Sequence, residues 1–583
     1  MTSIYLTVLV YFGFLLVTGW RFSSLNKDLG NFVRGGGLGT WWLVGVSLVI
    51  SNVSAMTFTG MGSIAFHAGA VPLIAYGATA FASFVCFFGL AAWARQTDAF
   101  TVPDILRERF GPEVEQFNSY YSFIWGIQNG AVWLWALSIF CSAMFDLPTN
   151  TLIVTLGVIV ALYSIMGGRW AVMGTDFLQS LIILPVSVIV FALSLKAVGG
   201  IDGFFSHWDQ LVEGGGTFIF PAANAEIANK YTPAYIAALV INTLVFHLSF
   251  FSSGKFLSAR DGNAARKAAL FGGFAVTIGA IIWMVPAIIA RFIYAEEVLG
   301  HTNIANAADT AYAVTASNVL PSSLIGLMII VLFAATMSNM DTGLNYTAGI
   351  FVRNILRPLR RKLGFQQDLQ PAGEVRLGKV ITGVNGVLMI GLALIYANAS
   401  SMGILELAYT GNVLIVFPLA IPILAGTWIK RLPRWAYFFS FGCAIIPAAW
   451  SVVDGNLGNP WSLQQKTFGV LAAGLVSILC TIPFYGTSSQ AFRERVDAFF
   501  RKTRTPISTG GQHDHESEQA ALLQRKILGS TITWGGTTIL LLLLIPSDLL
   551  GRACILFVST TLWSVGWLLR VKPTELTTRE PDD

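Results

Sequence analysis

Ser51-Asn52-Val53-Ser54-Ala55-Met56-Thr57-Phe58-Thr59-Gly60-Met61-Gly62-Ser63 interrupts an otherwise apolar run over residues 40–66. A stretch this polar and glycine-rich is costly in hydrocarbon. It is tolerated where freed carbonyl and N–H groups line a cavity, or where small residues let helices pack closely. A second run, 232–251, closes in the same manner with His247-Leu248-Ser249-Phe250-Phe251-Ser252-Ser253-Gly254. The two interruptions stand at corresponding positions of two five-helix halves, 38–198 and 232–428. That pairing points to an inverted repeat with a solute site at its interface. No repeat is visible residue by residue, so hydropathy alone carries this reading.

Composition sets the frame. Of 583 residues, 54% are apolar and 11% charged, and the mean hydropathy is +0.66. Soluble domains carry about 25% charged residues, so an ordinary soluble protein is excluded. Fifteen apolar runs are long enough to cross a hydrocarbon core of about 30 Å, near 3–22, 40–66, 70–94, 118–146, 150–166, 173–198, 232–251, 268–297, 320–352, 380–398, 401–428, 435–453, 465–485, 528–547 and 551–569. The first leads into Arg21 and Lys27 and lacks a basic leader or small-residue cleavage site, so it reads as a retained helix rather than a signal peptide. The net charge of +5 reports topology, not nucleic acid: 31 of the 36 Lys and Arg fall in alternate loops. This bias places the N-terminus outside and the C-terminus inside. Cys86, Cys141, Cys443, Cys480 and Cys554 all lie within apolar runs, without metal-site or disulfide spacing. Residues 486–527 form the one long polar insertion, with no apolar periodicity, and read as a cytoplasmic linker. His513 and His515 within it read as solvated.

Ionisable groups deep in spans cost roughly 2.5–3.5 kcal/mol each on insertion scales and mark ion or substrate pathways. The run 320–352 contains Ala334-Ala335-Thr336-Met337-Ser338-Asn339-Met340-Asp341-Thr342-Gly343-Leu344-Asn345-Tyr346-Thr347, in which Ala335, Ser338, Asn339, Thr342 and Tyr346 share one helical face. Asp341 and Thr342 flank the polar stripe. Carboxylate, hydroxyl and amide oxygens on one face suit a hard monovalent cation rather than a soft metal. Asp176, near the start of the run 173–198, is a second candidate, although its position also suits a plain interfacial acid.

Met166-Gly167-Gly168-Arg169-Trp170-Ala171-Val172-Met173-Gly174-Thr175-Asp176-Phe177-Leu178-Gln179 resembles the G-G-x-x-A-V-x-x-T-D-x-x-Q signature of the sodium:solute symporter family, which includes sodium/glucose, sodium/proline and sodium/sialic-acid carriers. The interrupted run 40–66 and the A-A-x-x-S stretch of 320–352 resemble that family in the expected order, over at least residues 1–485. The resemblance implies an all-α polytopic membrane protein with the inverted five-plus-five helix repeat of neurotransmitter-type symporters, one extra N-terminal helix and about four extra C-terminal helices. The chain then divides into an extra helix (1–37), a first repeat (38–198), an extracellular loop (199–231), a second repeat (232–430), two further helices (431–485), the cytoplasmic linker (486–527) and C-terminal helices with a tail (528–583).

The resemblance also implies ligands. One sodium ion would be held by the carbonyls of Ile50, Val53 and Ala335 with the side chains of Ser338 and Asn339. Asn339 departs from the Ser or Thr usual there. A second cation, sodium or a proton, would take Asp176, Asp341 and Thr342, with Asp341 replacing a hydroxyl. Substrate positions would be Asn52, Ser54, Thr57, Phe58, Tyr76, Asn129, His247 and Phe251. These residue types serve packing as readily as contact, Phe58 and Phe251 above all. Asn129 stands where sialic-acid carriers have a carboxylate-binding Arg, which argues against a strongly anionic solute.

The expected function is sodium-coupled import of a small organic solute by alternating access, as a monomer in lipid, in the inner or plasma membrane. Proton coupling, or a channel or sensor derived from a transporter, is the alternative. A channel needs a continuous polar pore, whereas the polar groups here cluster at mid-span. No H-E-x-x-H, G-x-S-x-G or phosphate-binding glycine loop points to an enzyme.

Overall fold

The computed structural model describes residues 13, 17, 37, 39–145, 147–212, 218–220, 230–301, 304, 306–365, 369–399, 404–507, 512–544 and 549–570. The expected first span, 3–22, lies outside them apart from residues 13 and 17. So do the side chains of Gly167–Gly174, Phe251, His513 and His515. The described residues are all-helical, with one isolated bridge between Gly39 and Ala259. Among them twelve helices are long and apolar enough to cross a membrane, and Trp41–Ile50 is a shorter apolar helix.

The run 40–66 is broken as its composition demands. Helix Trp41–Ile50 ends in tightened turns, with Asn52 N donating to Val49 O at 2.9 Å and Val53 N to Ile50 O at 3.0 Å. The chain restarts where Thr57 N donates to Ser54 O and Ser54 N to Thr57 Oγ1. It then passes through a π turn, Thr57–Met61, into helix Gly62–Ala68. Gly69 stops that helix at φ +64°, and a Cβ there would stand 2.9 Å from the Trp208 ring.

Two long helices organise the bundle. Ser322–Ile350 packs against Pro112–Phe145, Thr149–Ala197 and Pro371–Ala399, and most of its described residues are buried, which makes it the axis of the molecule. Gly126 permits the close approach of Pro112–Phe145, since a Cβ would sit only 2.2 Å from Thr347. Gly262–Ile293 packs against Trp41–Ile50 and Val71–Val85. Thr149–Ala197 contains two apolar spans, Thr149–Met166 and Thr175–Ala197. Tyr163 Oη and Thr175 Oγ1 are 3.0 Å apart, whereas twelve residues of straight helix would separate them by about 18 Å. The chain therefore turns back between the spans.

Two features depart from expectation. Within 486–527, helix Gln490–Lys502 buries Phe492, Val496 and Phe499, an apolar stripe at helical spacing. Phe499 packs edge-on against Trp93, with Lys502 paired to Glu108 and Lys430 to Asp497. The expected run 528–547 begins inside a longer helix, Gln512–Leu540, paired with Leu549–Arg570. That pair meets at Gly529 and Gly566, where a Cβ on either would stand 2.8 Å from the other's carbonyl oxygen. Such close crossing through small residues is how helices associate in lipid. All five cysteines are free.

Candidate functional site

The breaks meet around a cavity of about 120 Å³. Its walls include Asn52, Ser54, Thr57, Tyr76, Asn129 and His247, six of the eight residues expected at the solute site. Phe58 is elsewhere: it is fully buried, with its ring 4.5 Å from that of Tyr312, and so packs the core. Sequence reading passed over Trp133, Thr243, Phe246, Tyr409 and Asn412, which also line it. Three of the lining segments are π turns: Thr57–Met61, His247–Phe251 and Asn412–Val416. Such turns widen a helix locally and recur at functional sites.

Hydrogen bonds fix the wall. His247 Nδ1 lies 2.8 Å from the Thr243 carbonyl oxygen and Nε2 lies 2.8 Å from Asn52 Oδ1; both partners accept and a neutral imidazole carries one N–H, so the ring donates to one of the two. Asn52 Nδ2 donates to Leu48 O. The approach of His247 to Asn52 bridges the first interrupted helix and the second. Asn129 Nδ2 donates to Trp125 O, and Asn242 Nδ2 to Tyr409 O. No Asp, Glu, Lys or Arg is among the described lining residues. The surface offers amides, hydroxyls, one imidazole and aromatic faces, a chemistry suited to an uncharged, hydrogen-bonding solute.

Beside the cavity lie the expected cation ligands. Ala55 N donates to Thr336 Oγ1 at 2.7 Å, joining the break after Ile50 and Val53 to the turn that carries Ala335, Ser338 and Asn339. All five of these residues are buried, and Ser338 Oγ and Asn339 Nδ2 have no hydrogen-bond partner among the described residues. An orphaned buried hydroxyl is costly, and a cation beside carbonyl oxygens would satisfy it.

Asp176 and Asp341 are fully buried and within electrostatic reach of each other. Asp176 Oδ2 accepts from Ser47 Oγ at 2.5 Å, and Asp341 Oδ1 accepts from Ser164 Oγ. The second oxygen of each carboxylate has no described hydrogen-bond partner. Thr342, next in sequence to Asp341, is half-buried. Sequence reading missed Ser47 and Ser164, because an isolated serine in an apolar helix is ordinarily read as bonding its own backbone. It also missed Lys255, which is buried and donates to Ser47 O at 2.8 Å, to Ser47 Oγ at 3.0 Å and to Ser51 Oγ.

The model of the sodium:solute symporter family matches residues 32–434. The chain is 28% identical over 403 residues to the sodium/myo-inositol cotransporter 2 of Sus scrofa, covering 63% of this chain and 58% of that protein. It is 24% identical over 413 residues to the sodium/glucose cotransporter 1 of Ovis aries, covering 63% and 60%. The chain thus matches somewhat under two thirds of the length of these relatives. Its fold is similar to a solved Na+-coupled sialic acid symporter in a substrate-bound outward-open state, with a TM-score of 0.68 at 18% identity over 83% of this chain and 98% of that one. A nucleobase-cation-symport-1 family transporter gives a TM-score of 0.50 at 15% identity over 80% and 98%.

Proposed function

The chain belongs to the sodium:solute symporter family, and on that premise we propose that it imports an uncharged, polyhydroxylated solute together with sodium by alternating access. The chain is an integral, multi-pass membrane protein, and its family and relatives are transporters rather than enzymes. The observation that carries the proposal is that the Ala55 to Thr336 hydrogen bond joins a cavity with no charged side chain among its described lining residues to the helix carrying the buried, orphaned Ser338 Oγ. The sodium/myo-inositol and sodium/glucose cotransporters among its relatives favour a polyol or sugar, as do the amide and hydroxyl walls beside Trp133.

In this reading the carbonyls of Ile50, Val53 and Ala335, with Ser338 and Asn339, hold sodium at the break. The ion pins the first half-helix to helix Ser322–Ile350 and so favours the state that admits solute. The solute is held by Asn52, Ser54, Thr57, Tyr76, Asn129 and His247. The halves 38–198 and 232–430 then rock as an inverted repeat about the site. With the N-terminus outside and the C-terminus inside, a negative interior contributes about 2.3 kcal/mol per charge per 100 mV. Asp176, Asp341 and Thr342 form a second cation position, whose occupant decides the ion count.

The test is uptake of labelled myo-inositol, glucose and a panel of neutral polyols into proteoliposomes. An inward sodium gradient should drive accumulation of at least one. Equal uptake with a proton gradient replacing sodium would show the carrier to be proton-coupled.

A further inference from the structure

Lys255 lies in the short helix Ser252–Phe256, directly after the π turn His247–Phe251. It is only 3% exposed. An ammonium taken out of water at that depth costs several kcal/mol unless charge and hydrogen bonds compensate it. Three of its acceptors lie at the end of helix Trp41–Ile50: the Ser47 carbonyl, Ser47 Oγ and Ser51 Oγ. That end carries the partial negative charge of the half-helix.

Ser47 Oγ in turn donates to Asp176 Oδ2. One serine hydroxyl therefore stands between a buried cation and a buried carboxylate, and the two charges are no farther apart than those two hydrogen bonds laid end to end. Among the described side chains, the interior around Ser47 and Ser164 holds two carboxylates, Asp176 and Asp341, taken as ionised, and one ammonium. Their sum is one negative charge. A single sodium at Ile50, Val53, Ala335, Ser338 and Asn339 brings the group to neutrality, whereas a second would leave an uncompensated positive charge in a low-dielectric interior, which is strongly disfavoured.

We propose that the Lys255 ammonium is the resident cation of the Asp176 position, so that the protein binds one sodium ion where its carboxylates alone would call for two. Lys255 is a positioning residue here. It does not touch solute; it sets the number of ions by supplying a tethered positive charge on the second interrupted helix. This rests on the sodium-coupled reading above.

The experiment is the stoichiometry of radioactive sodium bound to the purified full chain, for wild type, Lys255→Arg, Lys255→Met and Lys255→Met combined with Asp176→Asn. Wild type and Lys255→Arg should bind one sodium per chain. Lys255→Met, which keeps an unbranched side chain one atom shorter and removes the charge, should bind two, with a steeper sodium dependence. The double variant should return to one. Two sodium ions on the wild type, or one on a folded Lys255→Met, would overturn the proposal. No sodium on the wild type would instead overturn the sodium-coupled reading and the present proposal with it. If Lys255→Met does not accumulate, the double variant decides: recovery of folded protein supports the pairing of the two charges, and failure to recover it overturns that pairing.

Discussion

The backbone N–H of Ala55 donates to Thr336 Oγ1 at 2.7 Å, across 281 positions of sequence. Thr336 Oγ1 donates onward to Leu332 O at 2.7 Å, so one hydroxyl fastens the broken helix to the axial helix of the bundle. Thr336→Val keeps the shape and removes the acceptor, leaving a buried N–H unsatisfied at a cost of about 1–3 kcal/mol. The expected outcome is a lower melting temperature and weaker sodium binding together, read by thermal denaturation with and without sodium. An unchanged sodium-induced rise in melting temperature would show that the contact is structural alone.

Ser338 contributes a single oxygen that has no described hydrogen-bond partner. Ser338→Ala is expected to raise the sodium concentration for half-maximal uptake by about tenfold, equivalent to about 1.4 kcal/mol, with a smaller effect on maximal rate. Sodium dependence of uptake at fixed solute measures this, and an unmoved half-saturation removes Ser338 from the site.

His247 and Asn52 brace the cavity from two helices. His247→Leu is expected to raise the solute KM by roughly tenfold or more, the loss of one hydrogen bond with its partner left unmet being worth about 1–3 kcal/mol. Sodium binding without solute should stay within about twofold, a difference worth about 0.4 kcal/mol. Paired solute-uptake and sodium-binding titrations separate the two effects.

Asp309 lies outside the spanning helices, on the turn Ala307–Thr310. Burial pushes its carboxyl up to about 7, against the pull of Ser63, the Ile404 backbone, Asn306 and Lys230. The folded chain therefore holds this proton to higher pH than the unfolded chain does. Its stability contribution is intact at low pH and is lost as pH rises from about 4 through about 7. Asp309→Asn removes the titration, so the variant should gain stability relative to wild type as pH climbs from 5 to 8. The gain is on the order of a few kcal/mol, because a tenfold change in proton affinity between the folded and unfolded chains is worth about 1.4 kcal/mol. Denaturant unfolding of both proteins across that range measures it, and a constant difference would remove Asp309 as the titrating group.

The spans and the interruption at Ser51–Ser63 are legible because hydrocarbon tolerates so few polar groups that each one stands out against its neighbours. The same contrast exposes Asp341, Ser338 and Asn339. Lys255 escapes because it follows Ser252-Ser253-Gly254, where a lysine reads as the interfacial end of a span. Only the fold brings it back beneath Ser47. Phe492, Val496 and Phe499 escape for the opposite reason: the charged residues around them hide a three-residue stripe that has meaning only when another surface is present to receive it. Sequence position alone puts Phe58 in the cavity, but the π turn that begins at Thr57 sends its ring toward Tyr312.

Each π turn around the cavity holds one residue more than the α turn it replaces. Excising a single residue from Thr57–Met61 would let the helix close as an ordinary α turn and swing everything beyond it by about 100°. Ser63, which now accepts a hydrogen bond from Asn306, would face elsewhere, and the outer half of the helix would present a different set of side chains to its neighbours. Gaps in the register between this chain and its relatives therefore carry meaning at these three turns. An ungapped superposition through them assigns wall positions to the wrong residues, and a one-residue deletion there is a change of surface rather than a loss of length.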